Sequence, residues 1–360
     1  MKILLLGDMS SAHFNLKIAL QELGHTVTLI SNGDKFKQTP NDIKIYIRKK
    51  NENKIVGAIK EIYSQLGVLK LLDGHDVIQT TTYYFFHNRI DKYLFPKILN
   101  NKSKHVLFNA SCTLPYNKFV KDLAYSPCQQ CKKYDLPNHT CDLEKKGVRN
   151  FEYKRYEKFD AIVSSHYEYF KAFENTGFKQ KNKFIPIPIR QNEIYYPLTK
   201  IPGKINVYYG ETRFGFKGGH FIKEAIERIK NSSYAKYFNF TYTKRISYNE
   251  YTRILDNTHV LIDQCNSYSY GVNALVGLTK GKIVMTGAEP EIFNFMGIDQ
   301  NECPLINIRP SVDDIFIKLI SLVSLRQHFP EMSVKGMEFV KKYHNPIKIA
   351  HEYEKLYQSI

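Results

Sequence analysis

Two short stretches carry residue types and spacings suited to holding a phosphate-rich ligand. The first is Arg213-Phe214-Gly215-Phe216-Lys217-Gly218-Gly219, between an apolar run ending at Gly210 and a helical pattern from His220 to Lys230. A guanidinium can give two parallel hydrogen bonds to a pair of phosphate oxygens, and a lysine four residues on adds a mobile point charge. The plain alternative is a solvated basic loop. The second stretch is Tyr270-Gly271-Val272-Asn273, which opens a helical pattern running to Leu278 and stopping at Lys280-Gly281. It follows the apolar run His259–Asp263 and a polar, aromatic loop, and the apolar run Ile283–Met285 comes after it. This reads as strand, loop, helix, strand, with the helix start at the carboxyl end of the first strand. Free N–H groups and the helix dipole favour anions there.

A third group of residues could hold a metal. Residues 112–141 contain four of the six cysteines, together with His139. Cys128 and Cys131 have the two-residue spacing of a metal knuckle, Cys141 follows, and Cys112 or His139 could complete a tetrahedron around a structural zinc. Four protein ligands would leave no open position for catalysis. The alternative is a loop with incidental buried thiols. His13, in the loop after the first apolar run, could act as a base or acceptor contact, or could simply cap or decorate the helix that follows.

The elements that must position these residues alternate in an α/β rhythm. Lys2–Gly7 reads as a buried strand, Phe14–Leu23 as a helix ending at Gly24, and His25–Ser31 as a second strand. Further strands are expected at Lys44–Ile47, from Asp76 to Gln79, at His105–Ser111 and at Asp160–Ser165, with a helix over Ile55–Leu72. The aromatic run from Tyr83 to His87 suits core packing or a membrane interface. Phe184–Ile189, punctuated by prolines, reads as an extended crossing into a second domain. That domain opens with the strand Lys204–Gly210 and includes another at Phe238–Thr243. The expected division is a first domain over 1–185 that includes the cysteine-rich insert, a second over 186–344, and a last helix over 345–360.

Hydrophobic content of 43% and charged content of 24% are those of a globular protein, and 360 residues are enough for two cores. No apolar run approaches the ~20 residues of a membrane-spanning helix. The opening apolar run is too short for a signal peptide, so a cytoplasmic location is the expectation. The net charge of +17 is concentrated in residues 1–185, with about 30 Lys/Arg against 18 Asp/Glu, or about +12. Either this surface docks on anionic lipid, with runs such as Arg48-Lys49-Lys50, or its lysines are scattered over solvated faces. No nucleic-acid-binding module is present, so nucleic acid is not expected as a partner.

The Tyr270-Gly271 and Gly281-Lys282 pairs, with the Arg213–Lys217-Gly218 turn, resemble glycosyltransferases of two facing Rossmann-like domains (the GT-B architecture), and most closely glycosyltransferase family four. The resemblance implies an α/β fold of two such domains facing across a cleft, with the C-terminal helix crossing back to the first. It implies a nucleoside-diphosphate sugar held by Arg213, Lys217 and the backbone of Tyr270, Gly271, Val272 and Asn273. It also implies a glycan or lipid-linked acceptor on the first domain, where His13 sits in the loop that faces the cleft. Arg213 and Lys217 would stabilise charge on the departing diphosphate without an obligatory metal; the chain has no Asp-x-Asp motif. The family's paired glutamates fall on Tyr268 and Val276. Glu289 and Glu291, after the next strand, are the carboxylates that could accept ribose hydroxyls instead. Glu291 is favoured because Pro290 fixes the turn, the alternative being a helix cap. An epimerase on the same fold, or a non-catalytic binder of nucleotide sugars or glycans, are the rival readings.

Overall fold

The computed structural model describes residues 1–48, 51–82, 84–86, 88–135, 141, 148–190, 195–201 and 203–360. The chain folds as two compact units. Unit 1 is Met1–Tyr116, Lys145–Arg190 and Asn345–Ile360; unit 2 is Asn117–Glu144 and Gln191–His344. The last helix thus returns to the first unit, as expected. The insert does not stay there: residues 117–144, expected in the first domain, belong to unit 2.

The strands in chain order are β1 (Lys2–Leu6), β2 (Thr26–Ser31), β3 (Ile43–Lys44), β4 (Val77–Thr80), β5 (Lys104–Asn109), β6 (Ala161–Ser164), β7 (Asn182–Phe184), β8 (Ile205–Glu211), β9 (Phe238–Lys244), β10 (Val260–Ile262), β11 (Ile283–Thr286) and β12 (Leu305–Asn307). The helices are α1 (Ala12–Glu22), α2 (Lys54–Leu69), α3 (Asn88–Leu99), α4 (Leu114–Phe119), α5 (Pro127–Gln130), α6 (Val148–Lys158), α7 (Tyr167–Lys171), α8 (Gly219–Lys230), α9 (Tyr248–Asp256), α10 (Val272–Thr279), α11 (Pro290–Met296), α12 (Val312–Leu325), α13 (Phe329–Tyr343) and α14 (Pro346–Ser359).

Unit 1 holds a seven-stranded sheet in the order β3-β2-β1-β4-β5-β6-β7, and unit 2 a five-stranded sheet in the order β12-β11-β10-β8-β9. Every pairing is parallel, for example Leu4 against Thr28 and Ile78, and Leu261 against Tyr208 and Val284. Parallel strands covered on both faces need continuous apolar runs. Ile3–Leu6 and Val260–Ile262 have them, each residue fully buried. In each sheet the strand order reverses once: between β1 and β4 in unit 1, and between β8 and β10 in unit 2. At such a reversal the loops leaving two neighbouring strands diverge, and the crevice beyond their carboxyl ends becomes the natural ligand position.

In unit 1 that end of the sheet is held by a buried polar chain. His13 Nδ1–H donates to the Gly7 carbonyl at 2.8 Å, and His13 Nε2 accepts from Gln79 Nε2 at 3.0 Å. Gln79 Oε1 in turn accepts from the Tyr357 hydroxyl of α14 at 2.8 Å. His13 is 1% exposed, and burial pushes its pKa down to about 4. Both ring nitrogens are therefore engaged internally, and the imidazole acts as a structural neutral link rather than as the base or acceptor contact expected from sequence. Asp8 accepts the His13 backbone N–H at 3.0 Å, and burial pushes its carboxyl up to about 6.

Helix α2 is amphipathic in an unusual sense. Its buried positions are Gly57, Gln65 and Val68, whereas Ile55, Ile59 and Tyr63 are 72%, 61% and 80% exposed. Of the basic run before it, Arg48 lies against Gly57, and Lys49 and Lys50 fall outside the described residues. In the aromatic run, Tyr83 and His87 lie outside the described residues, while Phe86 is buried. The Phe85 and Phe86 N–H groups both donate to Asp91, which pairs with the buried Arg155 guanidinium at 2.7 Å.

Asp8 and His13 titrate in opposite directions on folding. Between about pH 4 and 6 the folded pair keeps its proton on Asp8, whereas the unfolded chain keeps it on His13. Their contributions to pH dependence cancel in that window. In Asp8→Asn the His13 contribution, present above its unfolded pKa of 6.5, is lost as pH falls towards 4. Urea unfolding at pH 7 and pH 4 is expected to show the variant losing about 2 kcal/mol relative to the parent chain over that interval.

Candidate functional site

The reversal between β8 and β10 brings both phosphate-suited stretches of the sequence to one edge of the unit 2 sheet. After β8, the segment Arg213–Gly219 closes into successive tight turns. The Lys217 N–H donates to the Arg213 carbonyl at 3.0 Å, and the Gly219 N–H to the Phe214 carbonyl at 2.7 Å. Gly218 has φ +75°, and a Cβ there would come within 2.3 Å of Cys265 Sγ, so only glycine fits this turn. The loop after β10 is bonded directly to it: the Cys265 N–H donates to the Lys217 carbonyl at 3.1 Å, and Asn266 Nδ2 to the Gly215 carbonyl at 2.9 Å.

The side chains meet at Asp263, the residue immediately after β10. Its carboxylate is fully buried, and Oδ1 accepts from Lys217 Nζ at 2.5 Å and from Asn273 Nδ2 at 2.9 Å. Asn273 Oδ1 accepts from the Tyr251 hydroxyl at 2.7 Å. Asp263 Oδ2 is buried with no hydrogen-bond partner among the described residues, and a Cβ on Gly271 would lie 3.2 Å from it. Gly271 is the cap residue of α10, in extended backbone and with no side chain to satisfy the free N–H groups of the first turn. Lys217, the α10 start and Asn273 therefore share one counter-charge. Arg213 lies exposed at the mouth of the same loop, its guanidinium 3.4 Å from the centre of the Phe216 ring.

Tyr270 is buried, its ring edge-on to Phe339 and its hydroxyl 3.1 Å from His344 Nε2. Burial raises its pKa, so it stays a neutral phenol that anchors the residue before α10 in the core; only its backbone lies at the helix start. Val272 is half-buried in the first turn. Glu289 is buried and already satisfied: Arg309 Nε and Nη2 each reach it at 2.8 Å, and the Tyr125 hydroxyl at 2.5 Å. Burial alone would raise its pKa, but hydrogen bonds from Arg309, Tyr125 and Asn307 outweigh that and hold it down at about 2. Glu291 is exposed in the first turn of α11.

No four-ligand metal set comes together among the described residues, where no group of three or more His, Cys, Asp or Glu is close enough to hold an ion. Cys112 lies in unit 1 and Cys128, Cys131 and Cys141 in unit 2, while His139 is outside the described residues. The described part of the insert is fastened to unit 2 by side-chain contacts. Tyr125 binds Glu289 and packs on Tyr268 at 4.8 Å, Tyr134 stacks on His220 at 4.4 Å, and Asp135 binds the backbone of the Arg213–Gly219 segment. Sequence reasoning singled out none of Asp263, Arg309, Tyr125 or Asp135. Asp263 alone had a usable signal, an acid closing a buried strand at a chain reversal.

No family model matches the chain, and no curated protein matches it in sequence. Solved structures do match over its whole length. The sucrose-phosphate synthase of Thermosynechococcus elongatus superposes with TM-score 0.65 at 12% identity, covering 100% of this chain and 99% of that one. Anabaena HepE in complex with UDP-glucose gives 0.61 at 11% identity, with both chains fully covered. The lipopolysaccharide outer core galactosyltransferase WaaB gives 0.56 at 11% identity, again with full coverage. These neighbours are GT-B glycosyltransferases. The chain has their fold, two α/β units built on parallel sheets of seven and five strands.

Arg309→Met tests the Glu289 anchor. It leaves a buried carboxylate with neutral partners only, which is expected to cost about 2–3 kcal/mol of stability at pH 7. A carboxylate held low contributes stability that is present above its unfolded pKa of 4.5 and lost as pH falls towards 2. Without Arg309 that loss is expected to begin at higher pH, so acid unfolding followed by circular dichroism should shift upward.

Proposed function

We propose that this protein is a glycosyltransferase that takes a nucleoside-diphosphate sugar on unit 2 and passes the sugar to a glycan or lipid-linked acceptor served by unit 1. The observation that carries this reading is the meeting of Lys217, Asn273 and the uncapped start of α10 on the buried Asp263, at the strand-order reversal of a GT-B fold. In this reading the α10 N–H groups and the Lys217 ammonium face the diphosphate, and Arg213 adds a two-pronged contact from the mouth of the loop. The same groups stabilise the negative charge that grows on the diphosphate as the sugar leaves. Asp263 keeps Lys217 oriented before substrate arrives, so little reorganisation is needed when that charge develops.

The ribose contact is assigned to Glu291. Glu289 has its oxygens taken by Arg309 and Tyr125, whereas Glu291 is exposed at the start of α11. For the acceptor side, the apolar stripe Ile55, Ile59 and Tyr63 on α2, in the half of the chain carrying most of the positive charge, suits an anionic lipid surface.

Incubation with a panel of labelled nucleotide sugars, with and without lipid-linked acceptors, is expected to give acceptor-dependent transfer. Release of an epimer or free sugar without acceptor, or binding with no turnover, would replace this reading with another. Arg213→Ala and Lys217→Ala should each weaken nucleoside-diphosphate binding tenfold or more in calorimetry, from loss of about 1.5–3 kcal/mol of charge-assisted contact. Glu291→Gln should weaken the diphosphate of the preferred base but scarcely affect its 2′,3′-dideoxy form; an equal effect on both would remove Glu291 from the ribose site.

A further inference from the structure

The Arg213–Gly219 segment already binds an anion, one supplied by the chain itself. The Asp135 carboxylate spans two successive backbone amides: Oδ1 accepts the Gly215 N–H at 2.9 Å and Oδ2 the Phe216 N–H at 2.7 Å. Two oxygens of one anion on two adjacent N–H groups is the arrangement a phosphate adopts in a backbone nest. These amides lie between Arg213 and Lys217, the two cations expected at a diphosphate. Asp135 comes from a segment 80 residues away, so this is not the local cap of a helix. The cap residue of α8 is Gly218, which has no side chain to offer.

The approach is made close by small and flat groups. Tyr134 stacks on His220 with ring centroids 4.4 Å apart and planes at 28°, and meets Phe214 edge-on at 5.6 Å. Gly215 has no room for a side chain, since a Cβ would come within 2.4 Å of the Gln130 carbonyl oxygen and 2.8 Å of Tyr134 Cβ. The insert is thus seated directly over the amide pair, with a carboxylate where a ligand oxygen would go.

We infer that the Gly215 and Phe216 amides are a phosphate-binding subsite and that Asp135 occupies it as a built-in competitor, to be displaced by the diphosphate of the donor. This rests on the donor-loop reading above and adds to it a gate formed by Tyr134 and Asp135. Binding of the diphosphate then requires the insert to release its carboxylate, and loosening the insert raises affinity.

The test uses the full chain, with inorganic pyrophosphate and UDP as probes, in calorimetry at fixed low salt. Asp135→Asn removes the charge and one acceptor, and Tyr134→Ala loosens the insert without touching the amides. Both variants are expected to bind pyrophosphate about tenfold more tightly than the parent chain, and pyrophosphate should shift the Gly215 and Phe216 amide resonances of the parent. Unchanged or weaker binding in both variants, with Lys217→Ala still impaired, overturns the gate and leaves the donor site standing. Absence of binding to parent and variants alike overturns both readings.

Discussion

The buried carboxylate of Asp263 is the charge on which the β8–β10 edge of unit 2 depends. A fully buried anion is costly unless paired and hydrogen-bonded, and this one is satisfied on Oδ1 by a lysine from the loop after β8 and an amide from α10. The consequence is geometric. Three segments, the turn ending at Lys217, the end of β10 and the first turn of α10, are held in one register by a single side chain. Gly271 follows from the same constraint, because the carboxylate lies against it and leaves a side chain little space. The Cys265 N–H and the Asn266 side-chain amide, donating to the Lys217 and Gly215 carbonyls, reinforce the arrangement.

Within each unit, acidic side chains recur as organising groups, each with a different partner. Glu289 holds the insert and the strand-end segment of Arg309 together through Tyr125 and a two-pronged arginine. Asp91 joins a loop to α6 through Arg155, whose guanidinium is sandwiched 4.2 Å from Phe95 and 3.7 Å from Phe151. Asp135 reaches across to backbone amides rather than to a cation. Its partners are the least specific of the set in chemical type, since any anion suits an N–H pair.

Unit 1 shows how the same residue type changes role with burial. His13 looks chemically available in the sequence, following a Ser-Ser-Ala turn at the end of a strand. In the structure it is a neutral link between the Gly7 carbonyl and Gln79, and through Gln79 it reaches the last helix. The helix that returns from the far end of the chain is therefore tied into the polar interior of the first sheet as well as packed on α1. The outward apolar face of α2 is the reverse case, since its pattern alone would be read as a core face.

The alternation of strand and helix and the turns at Gly218 and Gly271 were legible in the sequence because they are local. Continuous apolar runs specify doubly covered parallel strands, and Gly218 and Gly271 mark turns that their neighbours impose. The tertiary structure decided which polar groups find each other. Tyr125 and Asp135 look like part of the first domain by chain position, yet they bind a carboxylate and backbone amides of the second. Whether Tyr270 offers its ring or only its backbone, and whether Glu289 is free or saturated by Arg309, depended on packing partners 74 and 20 residues away. Sequence patterns record how each segment buries its own apolar surface. The pairing of buried charges is set by distances between segments, and those exist only once the chain has folded.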